Sequence, residues 1–90
     1  PAIMSSYEWD ENKRRTNVSK HGVDFAEIEA FDWDTAVISA TPRGGEMRWS
    51  ALGYIGGRLH ALAFTYRGAR IRIISLRKAN PREERQYAET

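Results

Sequence analysis

From Met47 through Arg82 the chain carries no acidic residue, and paired turn residues divide that stretch into strand-length pieces. Gly56-Gly57 and Gly68-Ala69 are tight-turn signals. They separate three runs, Arg48 to Ile55, Arg58 to Arg67 and Arg70 to Arg77, each with an apolar centre and charged ends. Strands joined by two-residue turns pair antiparallel, so this half of the chain reads as a meander. Thr35 to Ala40 reads as a strand before it, with Thr41-Pro42-Arg43-Gly44-Gly45 as the intervening loop. That makes a four-stranded, mainly antiparallel sheet, with Gly53 a candidate bulge or close-approach point. Strict alternation sorts the side chains. It puts Arg58, His60, Leu62, Phe64 and Tyr66 on one face of their strand. It separates Arg70, Arg72, Ile74, Leu76 and Lys78 from Ile71, Ile73, Ser75 and Arg77 in the next.

The rest of the chain is helical or short. Tyr7-Glu8-Trp9 can form a first edge strand, and Asp10 caps a polar helix that ends at Gly22, where a left-handed backbone is needed. With almost no apolar stripe, that helix belongs on the surface, held by Trp9 and Val18. Asp24 and Glu27 form a capping box for a second helix over about Asp24 to Phe31, with Phe25, Ile28 and Phe31 on one apolar face. Asn80-Pro81, with Glu83, opens a last helix. Two N-terminal helices, a sheet and a C-terminal helix give an α+β domain with helices on one face of the sheet. Pro1-Ala2-Ile3 precede the first methionine and read as a cloning remnant, so a single domain is expected over residues 4–90.

With no cysteine, disulfides, thiolate metal sites and cysteine nucleophiles are excluded. No apolar run approaches the ~20 residues of a membrane span and no leader pattern opens the chain, so a cytoplasmic protein is expected. Charge is divided unevenly. Residues 1–45 hold five cations against eight acids, and residues 46–90 nine cations against four acids. A one-sided arginine stripe is the footprint of a nucleic-acid binder. The competing reading is that the acidic block Asp24, Glu27, Glu29, Asp32 and Asp34 folds back onto these arginines as internal ion pairs.

The chemistry open to such a chain is narrow. His21 and His60 lack metal-ligand spacing, no glycine loop carries the Lys-Ser/Thr of a phosphate-cradling motif, and no metal or cofactor is expected. What remains is acid–base cleavage of RNA, whose 2′-hydroxyl is a built-in nucleophile. A base must take that proton, fixed cations must hold the charged phosphorane, and an acid must protonate the leaving 5′-oxygen. His21, beside Lys20, is the leading base or acid, and Arg72, Arg77 and Lys78 are the phosphate clamp. Tyr87 or His60 is the second proton-transfer group, and Arg48, Arg67, Arg70 and Lys78 are the RNA contacts. Trp49 is the best base-stacking candidate. Each has a plainer reading: His21 as a helix C-terminal cation, His60 and Tyr87 as packing residues, and Arg72 and Arg77 as partners of Glu83 or Glu84. Two non-catalytic alternatives stand beside cleavage: a module that binds RNA or the ribosome, and a basic docking surface for an acidic protein.

The same residues resemble the BrnT-type toxins of bacterial type II toxin–antitoxin modules. The resemblance lies in Glu8-Trp9-Asp10-Glu11-Asn12-Lys13, in Asn17-Val18-Ser19-Lys20-His21-Gly22-Val23-Asp24-Phe25 and in Phe31-Asp32. It continues through Glu46, Arg48 and Gly53, then Arg72-Ile73-Ile74-Ser75-Leu76-Arg77-Lys78-Ala79, and Glu83 with Tyr87. It spans about Tyr7 to Tyr87. Ile28 and Leu76 stand where that family usually has alanine, and Asn80 where it has serine or threonine. The resemblance implies a RelE-like fold, ribonuclease activity that arrests translation, and a ribbon-helix-helix antitoxin through which alone the complex meets DNA.

Overall fold

A computed structural model describes residues 6–90, so the expected domain start at Met4 and the remnant before it lie outside the described residues. The elements run β1 (Tyr7–Glu8), α1 (Glu11–His21), a 3₁₀ helix (Phe25–Ala30), β2 (Val37–Arg43), β3 (Glu46–Ile55), β4 (Arg58–Arg67), β5 (Arg70–Lys78) and α2 (Pro81–Ala88). Among the described residues the sheet has five strands, in the order β1-β5-β4-β3-β2, not four. The fifth is β1, whose two residues lie parallel to β5, Tyr7 beside Ile71 and Glu8 beside Arg72. The Ile71 N–H donates to the Ser6 carbonyl at 2.8 Å and fixes that pairing. β1 is the edge strand expected at Tyr7-Glu8-Trp9, and adding it to the four strands of the meander makes five.

Local signals set the helix ends. The Asp10 carboxylate accepts from the Asn12 and Lys13 N–H groups, and Gly22 closes α1 at φ 71°. The Asp24–Glu27 and Asn80–Glu83 boxes are both formed. The second helix, however, is a six-residue 3₁₀ helix rather than an α-helix. Its apolar residues recur at every third position, and three residues per turn is the 3₁₀ period, so Phe25 and Ile28 stack on one line into the core. The loop expected over Thr41–Gly45 is mostly strand. Thr41, Pro42 and Arg43 pair with Arg48, Met47 and Glu46, and only Gly44-Gly45, at φ 56° and 78°, make the turn. Pro42 is tolerated because β2 is the outer edge of the sheet, where a missing N–H breaks no ladder.

The core lies on one face. Val23, Phe25, Ile28 and Phe31 pack against Ala51, Leu62, Phe64, Ile73 and Leu76, with Tyr7, Trp9 and Trp33 around them. Ile28 and Leu76, the departures from the family's alanines, are both fully buried there. Gly53 is a close-approach point and not a bulge. A methyl group there would overlap the Phe31 ring, whose Cε1 would lie 2.9 Å away, and that ring is already packed edge-on against Trp33 at 4.8 Å. Gly53→Ala is expected to destabilise the fold by about 1–3 kcal/mol in urea denaturation, because the overpacked ring has no free volume to enter.

The bulge is elsewhere. Ala63 pairs with Ser75 but Phe64 pairs with Ile73, so Ile74 is an extra residue in β5. This inverts the alternation beyond it. Arg77, Ser75, Arg72 and Arg70 lie opposite Ala61, Ala63, Thr65 and Arg67, and all point to the second face of the sheet. Strict alternation had put Arg72 and Arg77 on opposite faces. The helices are not all on one side either. Tyr87 of α2 meets Tyr54 of that second face ring to ring at 5.5 Å, so α2 lies across one end of it.

Candidate functional site

The second face is a trough. Its floor is made of small residues, Ser39, Ser50, Ala61, Ala63 and Ser75, and with Arg77, Glu83 and Gln86 they line a hollow of about 170 Å³. Small side chains on four adjacent strands leave that part of the face low, and α2 rises beside it.

Arg77 sits at the wall of this hollow. Its Nη1 and Nη2 each donate to one oxygen of Glu83 at 2.8 Å, a fork-on-fork pair. Glu83 is also the residue that closes the α2 capping box, accepting the Asn80 N–H at 3.0 Å. The Arg77 hydrogen bond holds the Glu83 carboxyl below the usual carboxylate range, against the opposing effect of burial. The same bond raises Arg77. Arg72, further along the face, is paired with Glu8 at 2.7 Å. Among the described residues, Arg48, Arg67 and Arg70 form no ion pair. The acidic block does not supply one: Asp24 pairs with Arg14 of α1 at 2.9 Å, and Asp32 bonds Thr35 and the Asp34 N–H in its own turn. Arg48, Arg67 and Arg70 keep this face net positive.

Lys20 and His21 stand at the end of α1, beside the edge of β5. With Asn12, Lys13, Thr16, Asn17, Ile74 and Ser75 they line a second hollow of about 290 Å³. Ser75 lines both hollows, so the hollow of Lys20 and His21 and the hollow of Arg77 meet at one residue of β5.

Asn17 makes that juxtaposition, and sequence reasoning placed it in a motif without a role. It is the one buried residue of α1. Its Nδ2 donates to the carbonyls of Leu76 at 2.6 Å and Val23 at 2.9 Å, and its Oδ1 accepts the Leu76 N–H at 3.2 Å. A side-chain amide thus satisfies both backbone groups of Leu76, between Ser75 and Arg77. Val18, expected to help anchor the helix, is 37% exposed.

The other candidates divide. The Tyr87 hydroxyl donates to the Thr35 carbonyl at 2.9 Å and so ties α2 to the turn before β2. His60 is 4% exposed on the core face with Nδ1 against the Arg58 carbonyl at 2.9 Å, which removes it as a proton-transfer group for a bound strand. Lys78 lies opposite His60, on the face away from Arg77. Trp49 is stacked on Phe64 at 6.5 Å on the core side and is not a free stacking platform. Among the described residues, no three His, Cys, Asp or Glu side chains cluster as metal ligands, and no helix is long and apolar enough to cross a membrane.

A family model described as the ribonuclease toxin, BrnT, of type II toxin–antitoxin systems matches residues 9–83. The chain belongs to the BrnT family. The match covers the whole of α1, the 3₁₀ helix and the sheet from β2 to β5, and it ends on Glu83, the partner of Arg77. Membership makes the chain a ribonuclease toxin of a type II module, with RNA as substrate class and an antitoxin as partner. Comparison with individual curated proteins found no match.

Proposed function

We propose that this BrnT-family chain is a metal-independent endoribonuclease that arrests translation in the cytoplasm and is held inactive by a ribbon-helix-helix antitoxin, which alone contacts DNA. The observation that carries the mechanism is the shared wall at Ser75, with His21 and Lys20 on one side and Arg77 on the other. RNA lies along the trough. His21 takes the proton of a ribose 2′-hydroxyl, whose oxygen attacks the adjacent phosphorus. Arg77 and Arg72 hold the charge gathering on the phosphorane oxygens. The bond to the 5′-oxygen breaks, that oxygen receives a proton, and a 2′,3′-cyclic phosphate remains. Tyr87 supplies the second proton once its hydroxyl leaves the Thr35 carbonyl, and Lys20 adds positive charge beside the base. Arg48, Arg67 and Arg70 hold the flanking strand. Lys78, on the other face, is not needed by this reading.

Purified chain, freed of antitoxin, is expected to cut RNA in EDTA and to leave cyclic phosphate ends detectable by mass spectrometry. His21→Ala is expected to cut about 10²–10⁴-fold more slowly, the range of a lost general base or acid. Undiminished cutting by His21→Ala would remove the imidazole from the mechanism, and loss of cutting in EDTA would replace the mechanism with a metal-dependent one.

A further inference from the structure

We infer that Arg67 and Arg70, with Arg48 beside them, form a second phosphate anchor at the far end of the trough, and that this anchor sets a minimum strand length for tight binding. The inference takes the identity of the strand from the ribonuclease reading above; the anchor itself stands on geometry. Arg67 and Arg70 are directly opposite each other across the β4–β5 hairpin and share the face of Arg77. Like charges in that relation repel, and no carboxylate among the described residues pairs with either. Arg72, the next arginine toward the hollow on the same face, is by contrast held by Glu8. An uncompensated pair of exposed forks is complementary to phosphate.

The occupant is a single-stranded nucleic acid because the path from this pair to Arg77 is continuous. Thr65, Ala63, Ser75 and Ala61 line the intervening face beside Arg72, and no aromatic or long aliphatic side chain of β4 rises from it there. Arg70 and Arg77 are seven residues apart with one residue lost to the bulge, which leaves a span of roughly 20 Å. A stacked strand rises about 3.4 Å per phosphate along its axis, so the span takes about six nucleotides, fewer where the strand is stretched. A shorter strand reaches Arg77 or the anchor but not both.

The test is a binding series on 2′-deoxy oligonucleotides of two to ten nucleotides, which lack the nucleophile and stay whole, followed by fluorescence anisotropy across a salt range. Affinity is expected to rise in a step of roughly tenfold near six nucleotides, with the salt slope steepening by about 1.4 as two more phosphates are neutralised. The Arg67→Gln/Arg70→Gln double variant is expected to flatten that step. Removing two exposed, mutually repelling charges does not threaten folding. A smooth rise with length, or a step that survives in the double variant, overturns the anchor. An anchor for an acidic protein segment would give no nucleotide-length step at all. Because these strands cannot be cut, a step without RNA cleavage would overturn the ribonuclease reading alone, and cleavage without a step would overturn the anchor alone.

Discussion

Arg77→Ala is expected to slow RNA cleavage by about 10²–10³-fold while the chain stays folded. That is the usual loss when one fixed donor to a developing oxyanion is removed. Arg77 is placed for the role by three features. Its side chain faces the trough, it lies on the hollow's wall, and its guanidinium is oriented by the Glu83 fork before any strand arrives. Orientation in advance is what makes a charge catalytic rather than merely attractive, because no side-chain entropy is lost at the reacting step. Arg77→Lys is expected to fall almost as far, since an ammonium cannot span both Glu83 oxygens and still present a planar edge to phosphate. The Arg77 side chain is 36% exposed, so its ion pair adds only about 0–1 kcal/mol to stability. The melting midpoint of Arg77→Ala is therefore expected to move by a few degrees at most. Initial rates on a labelled RNA, set beside a thermal melt, separate the two effects. A folded Arg77→Ala chain that cuts at the parent rate would take Arg77 out of the chemistry.

What the sequence made legible follows the range of each interaction. Caps are decided within three or four residues, and Asp10, Gly22, the Asp24–Glu27 box and the Asn80–Glu83 box all formed as read. The surface character of α1 was legible too, from its lack of an apolar stripe. The bulge at Ile74 was not. It exists only as a mismatch between β4 and β5, and nothing in Ile73-Ile74-Ser75 differs from an ordinary buried strand. Its consequence is large, because the face of every residue on one side of it changes, and Arg72 joins Arg77 only through it. The pairing of Arg77 was legible as an alternative, since Glu83 lies six residues on. Which carboxylate would neutralise Arg72 was not, since Glu8 comes from 64 residues away across a parallel pair. The competing idea that the acidic block silences the arginines is not met by these pairings: Asp24 is spent on Arg14 and Asp32 on its own turn.

The largest stability effect is expected at Asn17. Asn17→Ala should destabilise the fold by about 2–4 kcal/mol, because the Leu76 N–H and the Leu76 and Val23 carbonyls lose their partner inside the protein. For a domain of this size that corresponds to a drop of roughly 10–25 °C in melting temperature. Asn17→Asp is the sharper test. Its volume is almost unchanged and it still accepts from the Leu76 N–H, but it has no N–H to offer two carbonyls and buries a charge against them. It is expected to be at least as destabilising as alanine near neutral pH. Protonation restores one donor, so the aspartate variant should regain part of its deficit relative to Asn17→Ala as the pH falls toward the carboxylate range. Val18→Ala, one position along on the exposed side of α1, is the control and should cost under about 0.5 kcal/mol. If Asn17→Asp instead melts within a degree or two of the parent chain, the amide is not what holds α1 to β5. The adjoining of His21 and Arg77 across Ser75 would then need another anchor. If the deficit appears as expected, one buried amide sets both the edge of the sheet and the geometry of the proposed cleavage site, because the residue it grips lies between Ser75 and Arg77.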